Sequence, residues 1–360
     1  MRAVPRIRYA QGADDVRLAY TIAGDGHALV FVPWVPFSNL SMEWEHPVLR
    51  HVFDQLAKRL MVIHYDGRGT GHSQRDVTDL SLDAMVDDLE AIVDRVGHRE
   101  VSLIGQYNSC PHAIAYAARH PERVRRMALF GGSARGWNAM SARQTQAMLG
   151  LIEQDWDLFA DTAAHQWMGW SAGESGRALA AAIREAVTPQ IARATMQAAS
   201  AADVSDLVRA VTAPTLVLHR RAMTQIPVEV SRVLAEDLPH GQLVLLEGSQ
   251  PSLFMAEPDT VATMLLAFFC DGIVPAGGIP LAGDRPARPG SPPKPGPDGL
   301  TPRELEVLVL LAGGESNAQI ARALGLSTHT VDRHIANLYR KIGARGRADA
   351  TAYALRGGLA

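Results

Sequence analysis

The sequence predicts an α/β protein in two parts: a mostly parallel sheet with a helical lid, followed by a small all-α domain. Three observations carry this. Short apolar runs alternate with amphipathic helical stretches between about residues 16 and 270, the pattern of a parallel sheet covered on both faces. A tract dense in proline and glycine fills residues 275–298, and such a composition cannot bury enough surface to offset chain entropy. Beyond it, three helical periodicities occupy the remaining chain. The expected division is 1–272 for the sheet domain, 273–298 for a linker and 299–360 for the small domain.

Taken in order, residues 16–22 alternate apolar and polar like a strand, and residues 28–33 read as a fully buried one. Residues 43–60 carry helical apolar spacing, and 60–65 form the next strand. That strand ends in the glycine-rich turn 66–73, a weak phosphate-loop signal because the Lys-Ser/Thr ending is missing. A helix over 82–96, a strand over 101–104, a helix over 111–120 and a strand over 124–130 follow. The segment from Arg135 to about Val211 breaks the rhythm: it is helical and holds Trp137, Trp156, Trp167 and Trp170, four of the six tryptophans. That concentration favours a lid over a pocket; the alternative is an extra helical layer packed by aromatics. Strands over 215–219 and 242–246 and a helix over 260–269 complete the domain. Sites in such sheets form at the carboxyl ends of the strands.

The composition excludes several classes. No run of about 18 apolar residues is present to span a bilayer, and Met1 to Arg6 lead into polar sequence without a signal peptide's apolar core. The expected address is cytoplasmic, with no membrane partner. Two cysteines, Cys110 and Cys270, are too few for a disulfide framework and far from any histidine cluster. Both are expected to be buried thiols, with no metal and no cofactor. The net charge of -3 conceals an asymmetry: residues 299–360 hold eight Lys/Arg against five Asp/Glu, so the chain before them is more acidic than the total. A basic tail on an acidic body points to a nucleic-acid partner for the tail alone.

Residues 103–112 place an apolar strand, a tight turn and a helix in succession, the geometry of a nucleophile elbow that lifts one side chain towards a pocket. In the pattern Gly-x-Ser-x-Gly the central residue is the nucleophile; here Gly105 is kept, Tyr107 takes the centre and Ser109 replaces the closing glycine. Together with Phe31-Val32-Pro33, Asp66-x-Arg68-Gly69-x-Gly71-x-Ser73, the run from Ala118 to Val124, the run from Ala213 to His219 and Leu245-Leu246-Glu247-Gly248, the elbow resembles the α/β-hydrolase family over nearly all of residues 15–270. The resemblance implies a serine nucleophile, an acid after a late strand and a histidine after the last one. Those positions match Tyr107, Met223 and Gln250, so the resemblance implies a scaffold without its reagents. A shifted nucleophile at Ser109 or Cys110 still lacks a histidine, and His112 is expected as a surface or packing residue of the following helix. Candidate ligand contacts are Trp34, Tyr107, Asn108, Trp137, Trp167, Trp170, Met223, Gln250 and Phe254, polar anchors on an apolar floor. The bland alternative is that Tyr107 fills a dead cavity.

Thr301-Pro302-Arg303-Glu304 is a capping box with proline at the first helical position. The helix it opens stops at Gly313-Gly314, a second covers residues 317–324, and Ser327 can cap a third that runs to about Ile342. Val331, Ile335, Leu338 and Ile342 recur at helical spacing and face a core, leaving Thr328, His329, Asp332, Arg333 and Arg340 outward. This is a helix-turn-helix, whose second helix enters the major groove. The strings Leu300 to Glu304, Ser316-Asn317-x-x-Ile320-Ala321 and Leu324-Gly325-Leu326-Ser327-x-x-Thr330-Val331-x-x-His334-x-x-Asn337-Leu338-x-x-Lys341-Ile342 resemble the DNA-binding domain of LuxR-type transcription regulators over residues 299–358. Base readout is assigned to His329, Asp332 and Arg333, and further DNA contacts to Thr328, Thr330, Asn337, Arg340 and Lys341. The alternative for Asn317, His334 and Asn337 is structural capping or core hydrogen bonding, and for Arg345 and Arg347 a solvated loop.

The sequence thus reads as a transcription regulator that senses a small molecule through a catalytically inactive α/β-hydrolase-like domain, binds double-stranded DNA and acts as a homodimer. Its rivals are an esterase-like hydrolase coupled to DNA binding, and a constitutive regulator with a structural hydrolase shell.

Overall fold

The computed structural model describes residues 4–34, 36–136, 142–168, 173–223, 226–274, 302–312, 315–324, 328–344 and 346–356. The chain divides into two compact units, Met1–Gly283 and Asp284–Ala360.

The first unit is built on an eight-stranded sheet. Its strands are β1 (Arg8–Gln11), β2 (Arg17–Ala23), β3 (His27–Phe31), β4 (Leu60–Tyr65), β5 (Val101–Gln106), β6 (Val124–Phe130), β7 (Thr215–Arg220) and β8 (Gly241–Leu246). The order across the sheet is β1-β2-β4-β3-β5-β6-β7-β8. β1 and β2 are antiparallel, and β2 meets β4 antiparallel. Every pairing from β4 to β8 is parallel. Central strands such as β3 and β5 are buried almost throughout, as strands covered on both faces must be.

The helices of this unit are α1 (Leu40–Glu45), α2 (Pro47–Leu56), α3 (Leu82–Val96), α4 (Cys110–Arg119), α5 (Ala142–Gln154), α6 (Trp156–Met168), α7 (Gly173–Ala186), α8 (Pro189–Ala201), α9 (Val228–Asp237) and α10 (Pro258–Leu266). α3, α4 and α9 send Leu89, Ile92, Ile114 and Leu234 into one core layer. α1, α2 and α10 send Trp44, Phe53, Leu56, Val261 and Leu265 into the other. α5 to α8 interrupt the sheet between β6 and β7 and share a core of their own around Leu149, Phe159, Ile183 and Met196.

Two differences from the sequence pattern have local causes. The helical spacing of 43–60 resolves into two helices, because Pro47 opens α2 and forces His46 into extended backbone at φ -68° and ψ 120°. β1 is a short edge strand with only Ala10 buried, too brief to carry a periodic signal. Cys110 is buried as expected, whereas Cys270 is only partly buried.

The turn after β4 is a structural staple. The buried Asp66 carboxylate accepts from the Leu40 amide at 2.9 Å and the His72 amide at 2.7 Å. Gly71, at φ +48°, lies so close that a Cβ there would sit 2.2 Å from Asp66 Oδ2. Arg68, 1% exposed, makes two bonds to Asp88 at 2.8 and 2.7 Å and reaches Asp14. These contacts lock the chain after β4 and hang α1 from it.

The second unit contains α11 (Pro302–Ala312), α12 (Asn317–Leu324), α13 (Thr328–Ile342) and α14 (Arg347–Arg356) around a core of Val307, Leu308, Leu311, Ile320, Val331, Ile335, Leu338, Ala350 and Ala354. Val331, Ile335 and Leu338 occupy the inward positions that the spacing predicts, with Ile342 half-buried beside them. The solvated loop considered for Arg347 is instead the first residue of α14, whose guanidinium donates to the Leu311 carbonyl at 3.2 Å and to that of Glu315. Mixed alanine and polar residues give α14 a weak amphipathic signal, so only packing reveals it. The capping box at Thr301, the glycines 313 and 314, Ser327, Arg345 and linker residues 275–298 lie outside the described residues.

Candidate functional site

β5 ends at Gln106, and a single 3-10 turn, Tyr107–Ser109, leads into α4. The Gln106 amide donates to Ser109 Oγ at 2.8 Å, and that hydroxyl returns to the Gln106 carbonyl at 2.9 Å. This clamp holds Tyr107 at φ +53°, a conformation a bulky side chain adopts only when its surroundings enforce it. Gly131, after β6, makes room for the ring: a Cβ there would lie 2.8 Å from Tyr107 Cε1. The Tyr107 hydroxyl donates to the Pro251 carbonyl, with Met223 Sδ 3.5 Å away. Burial raises the phenol's pKa well above its usual value near 10 and does the same to the Cys110 thiol behind it.

Above Tyr107 lies a cavity of about 460 Å³. Its floor comes from the carboxyl ends of β3, β4 and β5 through Phe31, His64 and Tyr107, its roof from Leu179 and Ile183 of α7, and one side from Phe254 and Met255 after β8. α1 supplies Glu43 to the wall, and His46, which caps its C-terminus, also lines the cavity. That helix is held by the Trp44 indole, which donates to Thr21 Oγ1 at 3.1 Å, as well as by Asp66. Burial, reinforced by the neighbouring Asp66 carboxylate, pushes Glu43 up to about 8. His64, 2% exposed, lies 4.1 Å between centroids from each of Phe31 and Phe53. Neither of its ring nitrogens has a hydrogen-bond partner, and burial lowers its pKa to about 3.

Arg220, the last residue of β7, is 1% exposed. Its guanidinium donates to the carbonyls of Glu247 at 2.8 Å, Leu253 at 3.1 Å, Ser252 at 3.2 Å and Ala256 at 3.2 Å. Five donors in a rigid fork suit such a cluster. The loop after β8 is thereby tied to the end of β7, and its Pro251 carbonyl is set against Tyr107.

In the small unit, Asp332 and Arg333 stand exposed on α13. Asp332 Oδ1 accepts from the Asn317 amide of α12 at 2.7 Å. Lys341 Nζ lies 2.6 Å from Oε2 of Glu304, a residue only 4% exposed. Arg340 donates to Asn337 Oδ1.

Comparison with known proteins separates the same two regions. Residues 39–171 match the model of the alpha/beta hydrolase fold. The 2-hydroxymuconate semialdehyde hydrolase of Pseudomonas sp. (strain CF600) is 30% identical over 212 residues, 54% of this chain and 71% of that protein. The chain belongs to the α/β-hydrolase fold family. The bromoperoxidase structure from Bacillus anthracis shares the fold with a TM-score of 0.66 and 18% identity, covering 73% of this chain and 99% of that one.

Behind the α/β-hydrolase fold domain, residues 298–354 match bacterial regulatory proteins of the luxR family. The nitrate/nitrite response regulator protein NarP of Escherichia coli (strain K12) is 56% identical over 52 residues, 14% of this chain and 24% of that protein. The chain spans about a quarter of that regulator's length. Its C-terminal unit is a LuxR-family DNA-binding regulator domain.

The residues expected from sequence fall at different places. Trp34, Tyr107 and Phe254 line the cavity. Met223 is buried against the Tyr107 hydroxyl rather than on the cavity wall, and Asn108 faces a separate recess of about 20 Å³. Gln250 is exposed, because the loop turns inward only at Pro251. His112 is 5% exposed and packs in the core. Trp137 and Trp170, and the side chains of Trp167, Thr328, His329 and Thr330, lie outside the described residues. Sequence reasoning missed Glu43, His64 and Arg220. The one available signal was an arginine closing the apolar run of β7, a poor place for a charge without a partner.

Among the described residues, no helix is long and apolar enough to cross a membrane, and no cluster of His, Cys, Asp and Glu could hold a metal.

Proposed function

We propose that the chain is a one-component transcription regulator whose α/β-hydrolase fold domain binds a small molecule without hydrolysing it, and whose LuxR-family domain binds operator DNA as a homodimer. The observation that carries this reading is Tyr107 at the elbow, its hydroxyl bonded to the Pro251 carbonyl beside an apolar cavity. Acyl transfer needs a nucleophile whose proton a base removes. Tyr107 has a raised pKa and a carbonyl partner, which accepts a hydrogen bond but takes no proton. The imidazoles among the described lining residues are His46 and His64, and burial makes both weaker bases. The cavity itself persists, within the range of small-molecule sites.

The name of the Pseudomonas relative favours a second reading, an esterase-like enzyme coupled to DNA binding. Incubating the full chain with short-chain nitrophenyl esters separates the two. Turnover at the buffer rate is expected; turnover above it that disappears in Tyr107→Phe would overturn the sensor reading. On the DNA side, Arg333→Ala should relax sequence preference by about 1–3 kcal/mol at one base position, measured by mobility shift on a randomised operator library. An unchanged preference would remove Arg333 from base readout.

A further inference from the structure

The charge of the cavity wall says what kind of molecule it takes. Among its described lining residues are two acids, Glu43 and Glu45, and no lysine or arginine. A third acid, Asp66, is close enough to Glu43 to raise its pKa. Arg75 acts on Asp66 but is not among the described lining residues. An anionic ligand would therefore meet an acidic wall with no cation among the described lining residues to receive it. The rest of the wall is aromatic or aliphatic, with Phe31, Trp34, Phe53 and Phe254 around the space. Aromatic faces attract cations as well as apolar bodies. Also among the lining residues, the buried imidazole of His64 supplies a neutral group whose nitrogens have no hydrogen-bond partner in the protein.

Resting on the reading of this domain as a small-molecule site, we propose that the cavity binds an organic ammonium, its apolar body among Phe31, Trp34, Phe53 and Phe254 and its charged nitrogen against the Glu43 carboxylate. Without the ligand, Glu43 is held protonated by burial. The arriving ammonium supplies the missing counter-charge, and the carboxyl proton leaves to solvent. The positive nitrogen and the negative carboxylate then occupy the cavity as a neutral pair. A carboxylate ligand would find no cation among the described lining residues to neutralise it.

Three probes of similar shape test this on the full chain by isothermal titration calorimetry at pH 7: 2-phenylethylamine, 2-phenylethanol and phenylacetate. The amine should bind at least tenfold more tightly than the alcohol, and phenylacetate at least tenfold more weakly. Glu43→Gln should lower amine affinity at least tenfold while leaving the alcohol within about twofold, and should this variant fail to fold, the ranking on the wild-type chain decides alone. Alcohol or phenylacetate binding as tightly as the amine would overturn the ammonium proposal and leave the cavity a ligand site. Unchanged amine affinity in Glu43→Gln would also overturn it. If none of the three binds the wild-type chain, the proposal falls and small-molecule sensing loses its support as well.

Discussion

The two ends of the cavity handle buried polar groups in opposite ways. At the elbow end, the Tyr107 hydroxyl is spent on the Pro251 carbonyl, and the Arg220 guanidinium on four carbonyls of the same loop. At the α1 end, Glu43 is held protonated, and His46 Nδ1 and both nitrogens of His64 have no hydrogen-bond partner. A satisfied buried group stabilises the fold, whereas an unsatisfied one costs free energy that a ligand can recover.

Substitutions at the two ends should therefore act with opposite sign. The largest effect is expected at Arg220. Arg220→Met leaves carbonyls buried without donors and should cost about 3 kcal/mol or more, read as a fall in the chemical-denaturation midpoint of the first unit. A loss below about 1 kcal/mol would mean that the loop after β8 is held by other contacts.

Next comes Glu43. Its carboxyl titrates near 8 in the folded chain and near 4.5 when unfolded, so between these values the folded state keeps a proton that the unfolded chain has released. Its contribution to stability is complete at low pH and is lost as pH rises through this window. Glu43→Gln should match wild type near pH 4.5 and exceed it increasingly towards pH 8, by on the order of 2 kcal/mol, less than full linkage because the cavity admits water. Asp66, raised to about 7 by burial, adds a slope of the same sign that remains in the variant. A difference that stays constant with pH would show that Glu43 is not held protonated.

The smallest effect is expected at Tyr107. Tyr107→Phe removes one hydrogen bond and keeps the ring against Gly131, so thermal unfolding should show a loss of about 1 kcal/mol. A gain in stability would place Tyr107 with the unsatisfied groups of the other end and dissolve the comparison.

Much of the fold was legible because its signals are local. The strand-helix alternation, the strand-turn-helix at Tyr107 and the inward spacing of Val331, Ile335 and Leu338 all lie within short windows. Less of the site was legible. Trp34, Tyr107 and Phe254 were reachable by reference to strand ends, but Gln250 was placed one residue away from the inward turn at Pro251. Lys341 reads as a phosphate contact from its position on α13, yet its ammonium meets the buried Glu304, a pairing across 37 residues that no periodicity reveals. Asp332 is similarly engaged by Asn317.

By itself the sequence determined that a parallel α/β sheet carries a tyrosine at its elbow and that a helix-turn-helix follows, since periodicity and turn chemistry act over a few residues. Only the tertiary structure decided that Glu43, His64 and Tyr107 share one cavity. They come from α1, β4 and the end of β5; the parallel crossovers that align strand ends bring them together, and the burial there shifts the pKa of each. Both are properties of neighbours distant in the chain.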